Sequence, residues 1–148
     1  MIYPYCLWGK NYCILQVNAG MTSKGKILLM DDEQIIIDVT LEVLQFLGYD
    51  VQFARNGEEA IELYVREKDA GAPFDVVILD LSVPEGMGGR ETIEKLKGLD
   101  PSVKAVVSSG YGNDPCVQDY QKFGFTGVLS KPYKINDMKA LLEGLVRK

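Results

Sequence analysis

Residues 76–89 read VVILDLSVPEGMGG, four apolar residues running straight into an aspartate and then a loop rich in glycine and proline. The run Val76–Leu79 has the length and β-branched content of a strand buried on both faces. A buried strand that stops on a carboxylate, Asp80, poses a chemical question. The acid is either the place where the chain meets water or a group held at the rim of a sheet for use. The ends of the other apolar runs discriminate between the two.

From Lys26 onward such runs alternate with helical patterns. Strands are predicted at Lys26–Met30, Val51–Ala54, Val76–Leu79, Val103–Val107 and Gly127–Ser130. Helices are predicted over Gln34–Leu47, from Asn56 to about Lys68, over Arg90–Lys97, loosely over 115–123, and from Asn136 to Arg147. Gly48 and Gly98 serve as helix stops, Asn56 as an N-cap with Glu59 placed for a capping box, and Asn136 as the last N-cap. Strand and helix alternating five times means βαβ units. The fold class is therefore α/β: a doubly wound, five-stranded parallel sheet in the order 2-1-3-4-5, helices on both faces, in the flavodoxin-like manner. Ligands of such sheets sit beyond the carboxyl ends of the strands.

Residues 1–23 do not join this pattern and form an expected appendage, flexible or pairing with a sheet edge; residues 24–148 form the domain. The appendage is aromatic, with Tyr3, Tyr5, Trp8 and Tyr12, and lacks the charged start and cleavage pattern of a signal peptide. Met21 would itself be a natural start for the domain.

Composition removes several function classes. With 148 residues, 47% hydrophobic and 25% charged, the chain has the make-up of one globular domain. A net charge of −5 without a basic run argues against nucleic-acid binding by this chain itself. No apolar run approaches the ~20 residues of a membrane-spanning helix. Cys6, Cys13 and Cys116 have no metal-site spacing and read as reduced thiols in the cytoplasm. Histidine is absent, which excludes Ser-His-Asp and Cys-His catalysis and histidine-ligated metals.

The strand ends converge on one chemistry. Strand 1 runs into Asp31 and Asp32, strand 3 into Asp80, strand 4 into Ser108 and Ser109, and strand 5 into Lys131. In the proposed winding they share one edge of the sheet. Carboxylates about 4 Å apart repel by roughly 4 kcal/mol per pair at an effective dielectric near 20. Such a cluster raises a carboxyl pKa or recruits a cation, and oxygen-only ligands favour a hard ion, Mg²⁺ best of all. A metal, a lysine, a hydroxyl and one central carboxylate suit phosphoryl transfer, with Asp80 as nucleophile.

At this point the chain resembles a known family. Asp-Asp-Glu at 31–33, the LD…P…GG loop from Leu79 to Gly89, SSGY at Ser108–Tyr111 and KPY at Lys131–Tyr133 together resemble the response-regulator receiver domain, the phosphoacceptor of two-component signal transduction. The resemblance implies that Asp80 accepts a phosphoryl group from a histidine kinase or histidine phosphotransfer protein. It implies Mg²⁺ held by Asp31, Asp32, Asp80 and the carbonyl of Ser82, with Ser109 and Lys131 turned to the phosphoryl group and a cis Lys131–Pro132 peptide. Such a domain catalyses its own phosphorylation but is not an enzyme with a separate substrate. It is expected as a cytoplasmic monomer or weak dimer, stand-alone or as part of a hybrid histidine kinase.

Two departures from the common pattern stand out. The loop PEGMGG is one residue longer than usual, as in receivers of hybrid kinases, and Val128 stands where many members carry a switching aromatic. Tyr111 and Ser82 flank the acceptor, in a combination expected to slow phosphate loss. Helix 1 should turn Ile36, Thr40, Val43 and Leu47 to the core and leave Ile35, Val39 and Phe46 for a phosphodonor. Three readings compete: a degenerate receiver used only for protein interaction, an aspartyl-phosphate hydrolase, and an FMN carrier. A hydrolase would want a second acid at Ser82, and an FMN carrier a hydroxyl-rich first loop.

Overall fold

The structure, a computed structural model, describes residues 23–110 and 112–146 together with the backbone of residues 5–6 and 13–15. Among the described residues the strands are β1 (Tyr5–Cys6), β2 (Cys13–Leu15), β3 (Lys26–Met30), β4 (Asp50–Ala54), β5 (Val76–Asp80), β6 (Ala105–Ser109) and β7 (Gly127–Ser130). They lie in one sheet ordered β1-β2-β4-β3-β5-β6-β7. The last five are mutually parallel, and their spatial order is the expected 2-1-3-4-5. Ahead of them β1 and β2 pair antiparallel, and β2 lies antiparallel on the β4 edge, Leu15 opposite Val51. The rest of the expected appendage, with Tyr3, Trp8 and Tyr12, lies outside the described residues, as do Tyr111 and Arg147.

The helices are α1 (Gln34–Phe46), α2 (Gly57–Asp69), α3 (Gly89–Leu99), a short α4 (Pro115–Gln118) and α5 (Ile135–Val146). Successive strand side chains point to opposite faces, so each continuous apolar run feeds two cores. Leu28, Met30, Val77, Leu79 and Val107 meet Leu63 of α2 and Ile93 and Leu96 of α3 on one face. Ile27, Leu29, Ile78 and Val106 meet Ile37, Leu41 and Leu44 of α1 and Met138 and Leu142 of α5 on the other. Fully burying each such side chain is worth about 1.5–3 kcal/mol.

Local signals place most element ends. Asn56 Oδ1 accepts from Glu59 N at 2.9 Å, as an N-cap should. The Glu59 carboxylate reaches back one residue further than a standard capping box, to Arg55 N at 3.0 Å. Gly48, at φ +99°, follows the α1 C-cap.

Several details differ from the sequence reading. The fourth parallel strand is Ala105–Ser109, displaced because Asp100 and Val103 close a turn first, Val103 N donating to Asp100 O. Helix α3 passes through Gly98 to end at Leu99. Helix α5 begins at Ile135, so Asn136 lies inside its first turn. The expected helix over 115–123 divides at Asp119 into α4 and a 3-10 turn, Tyr120–Phe123. The face of α1 agrees in part: Thr40 and Leu47 are buried and Ile35, Val39 and Phe46 exposed as expected, but Ile37, Leu41 and Leu44 fill the core in place of Ile36 and Val43, both half-buried.

Candidate functional site

Sheet register brings the rim residues together. Met30 of β3 pairs with Leu79 of β5, which sets Asp31 level with Asp80; Asp80 in turn pairs with Ser108 of β6. Ser109 pairs with Ser130 of β7, so Lys131 emerges one step beyond them. Backbone bonds continue this order past the strands, Asp31 N to Ala54 O at 3.0 Å and Lys131 N to Ser109 O at 3.0 Å. All the strand-end residues singled out from the sequence therefore stand on one rim.

Lys131 bridges the acids. Its Nζ is 2.8 Å from Asp31 Oδ2 and 3.2 Å from Asp80 Oδ1. Asp31 and Asp80 are buried, at 0% and 2% exposure, and Asp32 is half-buried. One carboxylate oxygen from each of Asp31, Asp32 and Asp80 lies within 4.8 Å of the other two. Asp31 Oδ1 accepts from Glu33 N at 3.0 Å, and Asp80 Oδ1 accepts from Ser82 N at 3.3 Å. The second Asp80 oxygen, Oδ2, is buried without a hydrogen-bond partner.

A buried carboxylate oxygen with no donor is costly, and it marks where something else binds. Burial, and after it the charge of Asp31, pushes the Asp80 carboxyl up to about 6, against the smaller pull of Lys131 and the Ser82 amide. Burial opposes the charge of Lys131, but the Asp31 hydrogen bond and the charges of Asp80 and Asp31 outweigh it and hold the ammonium above the ordinary lysine range. One cation against three acids leaves net negative charge. Oxygen-only donors, a surplus of charge and an orphaned oxygen fit a hard divalent ion such as Mg²⁺. An open cleft of about 460 Å³, lined by Asp32, Glu33, Leu81, Ser82, Val83 and Pro84, gives access from solvent.

A model of the response regulator receiver domain family matches residues 27–143. The chain belongs to this family. The receiver domain is 29% identical to sporulation initiation phosphotransferase F of Bacillus subtilis over 114 residues, covering 77% of this chain and 87% of that protein. It is 27% identical to the sensor kinase CckA of Brucella abortus over 128 residues, covering 86% of this chain but only 13% of the kinase. Among solved structures, the receiver domain of the sensor histidine kinase PA1611 of Pseudomonas aeruginosa superimposes with a TM-score of 0.73 at 19% identity, covering 84% of this chain and 98% of that one; it has a magnesium ion coordinated in its active-site cleft. No helix among the described residues is long and apolar enough to cross a membrane.

One polar pair escaped the sequence reading. The hydroxyls of Ser108 and Tyr133 are hydrogen-bonded beside the acidic cluster. Burial first, with help from the charges of Asp31 and Asp80, pushes the Tyr133 hydroxyl up to about 12, so it stays protonated at neutral pH. The available signal was a tyrosine two positions beyond the rim lysine. Its partner on the neighbouring strand becomes visible only once the sheet is ordered.

Proposed function

We propose that this receiver domain is the phosphoacceptor module of a two-component phosphorelay, taking a phosphoryl group onto Asp80 and switching a protein-interaction surface. The observation that supports this most directly is the unpartnered Asp80 Oδ2, a buried oxygen on a carboxylate that is clustered with Asp31 and Asp32 and whose other oxygen meets Lys131. An Asp80 oxygen attacks phosphorus in line. The bond from phosphorus to the donor's imidazole nitrogen breaks, and its electron pair stays with the donor. Residues 1–148 contain no histidine, so the donor imidazole lies outside them, on a histidine kinase or a histidine phosphotransfer protein.

In this reading Lys131 pairs with the phosphoryl oxygens, and Ser109, at the end of β6, donates its hydroxyl to them. Asp31, Asp32 and Asp80, with the main-chain carbonyl of Ser82, would hold Mg²⁺. When bound, that ion supplies neutralisation of charge at the transferring oxygens. The chain then catalyses its own modification without turning over a separate substrate. Residues 24–148 constitute the receiver and residues 1–23 an appendage. The setting is cytoplasmic, as a monomer or weak dimer that binds no nucleic acid by itself, stand-alone or within a hybrid histidine kinase.

The test is incubation with acetyl phosphate, with and without Mg²⁺, on wild type and Asp80→Asn, read by intact mass. A phosphoryl mass gain that needs Mg²⁺ and is confined to wild type is expected. A gain that survives in Asp80→Asn overturns the assignment of the acceptor.

A further inference from the structure

The loop that leaves Asp80 folds back onto the start of α2. Gly86 adopts φ +95°, and a Cβ there would stand 3.2 Å from both Asn56 Cβ and Glu58 Oε2 at the start of α2. The next residue, Met87, is buried at 8% exposure and bonded at both backbone groups. Its N–H donates to Glu58 Oε2 at 3.1 Å, and its carbonyl accepts from Gly57 N at 2.8 Å. Gly57 has no room for a side chain, since a Cβ would fall 2.0 Å from Thr92 Oγ1 and 2.7 Å from Met87 Cγ.

The returning limb of the loop then lies directly on the outgoing one. Thr92 Oγ1 donates to Gly88 O at 2.7 Å. A Cβ on Gly88 would come to 3.0 Å of Leu81 O, and one on Gly89 to 2.8 Å of Asp80 O. With no space between the limbs, a displacement of Met87 is passed to the backbone of Asp80–Ser82. Two bonds join the first turn of α2 to Met87, one from the Gly57 backbone and one to the Glu58 carboxylate, and only the second is made by a side chain.

We propose that Glu58, outside the acidic cluster, is a positioning residue that fixes the loop 81–89 and thereby the Asp80–Ser82 backbone of the phosphoacceptor site. The inference rests on the receiver-site reading above and extends it to the first turn of α2. An alternative role exists at the same place, because an acid in a first turn also favours the helix dipole. The two separate cleanly. Glu58→Gln loses the charge but keeps an oxygen that can accept from Met87 N–H, whereas Glu58→Ala loses both.

The experiment measures two quantities on the unphosphorylated full chain: Mg²⁺ affinity by isothermal titration calorimetry, and amide hydrogen exchange across residues 81–89. Wild type, Glu58→Ala, Glu58→Gln and the exposed control Glu143→Ala are compared. Glu58→Ala is expected to weaken Mg²⁺ binding by about tenfold, the lower end for residues that orient ligands, and to speed exchange at Met87 and its neighbours. Glu58→Gln and Glu143→Ala should stay near wild type in both readouts. Glu58→Ala indistinguishable from wild type overturns the proposal, and so does Glu58→Gln falling as far as Glu58→Ala. If wild type binds no Mg²⁺ the receiver-site reading fails, and the exchange data alone then decide whether Glu58 holds the loop.

Discussion

Lys131 Nζ donates to Asp31 Oδ2 at 2.8 Å across 100 positions of sequence, and the same ammonium reaches Asp80 Oδ1 at 3.2 Å. One lysine thus serves two buried acids, and Asp80 Oδ2 is left without a partner. The site carries more negative charge than its own residues neutralise.

That imbalance predicts a stabilising loss. Asp80→Asn removes the buried charge whose carboxyl is driven up by burial and by Asp31, while Lys131 keeps its shorter bond to Asp31. In metal-free buffer at pH 7 the variant is expected to be more stable than wild type by about 1–2 kcal/mol. Added Mg²⁺ should narrow or reverse the gap, since it stabilises the form that binds it. Urea denaturation with and without Mg²⁺ checks this. An Asp80→Asn protein less stable than wild type without metal would show that Lys131 already balances the cluster.

Helix α1 carries the second prediction. Ile35 is 69% exposed, Val39 53% and Phe46 81%. Spacings of four and seven place them in one stripe along the helix. On the function proposed above, this exposed apolar stripe is where the phosphodonor docks. Ile35→Asp should slow transfer from a phosphorylated partner by about tenfold, as loss of an interface anchor does. Folding stability should move by less than about 0.5 kcal/mol, and phosphorylation by acetyl phosphate should be unchanged. Equal slowing with both donors would place the defect in the site rather than in docking.

The same helix shows where sequence reading succeeds and where it slips. Asp31, Asp80, Ser109 and Lys131 were legible because each ends an apolar run, and strand period and parallel order then leave them one place to meet. The core side of α1 was legible only in part, since Ile35, Ile36, Ile37, Val39, Leu41, Val43, Leu44, Phe46 and Leu47 give apolar residues nearly all round: Ile35, Val39 and Phe46 face out as expected, but Ile36 and Val43 yield the core to their neighbours. Only packing against the sheet selects Ile37, Leu41 and Leu44. The Glu58–Met87 bond was invisible for a different reason. It joins residues 29 apart through a backbone amide, which any residue at position 87 could supply.

Tyr133 supports a prediction about packing rather than chemistry. Tyr133→Phe leaves the fully buried Ser108 without the hydroxyl it is bonded to. A loss of about 1–2 kcal/mol is expected in chemical denaturation, the cost of stranding one neutral buried group. The double variant Tyr133→Phe with Ser108→Ala should recover part of it, because neither polar atom then remains. A double variant no better than the single one would mean that the bond contributes little.

The pH dependence of folding is expected to carry the mark of Tyr64 and Asp100, far from the rim. Tyr64 OH of α2 donates to Asp100 Oδ2 at 2.6 Å just after α3, where Lys68 Nζ also approaches at 3.2 Å. The Tyr64 hydrogen bond first, and the Ser102 hydroxyl after it, hold the Asp100 carboxyl below the usual carboxylate range. A depressed carboxyl contributes stability at pH values above its unfolded pKa of about 3.9, and loses it as pH falls toward the lower folded value. Tyr64 has the opposite sign. Burial, and then Asp100, raises its hydroxyl above the ordinary tyrosine range, so its contribution is whole below about pH 10 and fades as pH climbs through the folded value. Between those limits Tyr64→Phe should cost about 1–3 kcal/mol, the range for a hydrogen bond to a charged acceptor. Denaturation of wild type and Tyr64→Phe across pH should show a constant gap from about pH 5 to 9 that closes at both extremes. A gap that persists undiminished at low pH would mean that the hydroxyl stabilises the fold without the charge of Asp100, since phenylalanine keeps the ring that stacks on Phe74 at 6.3 Å and that packing cancels in the comparison.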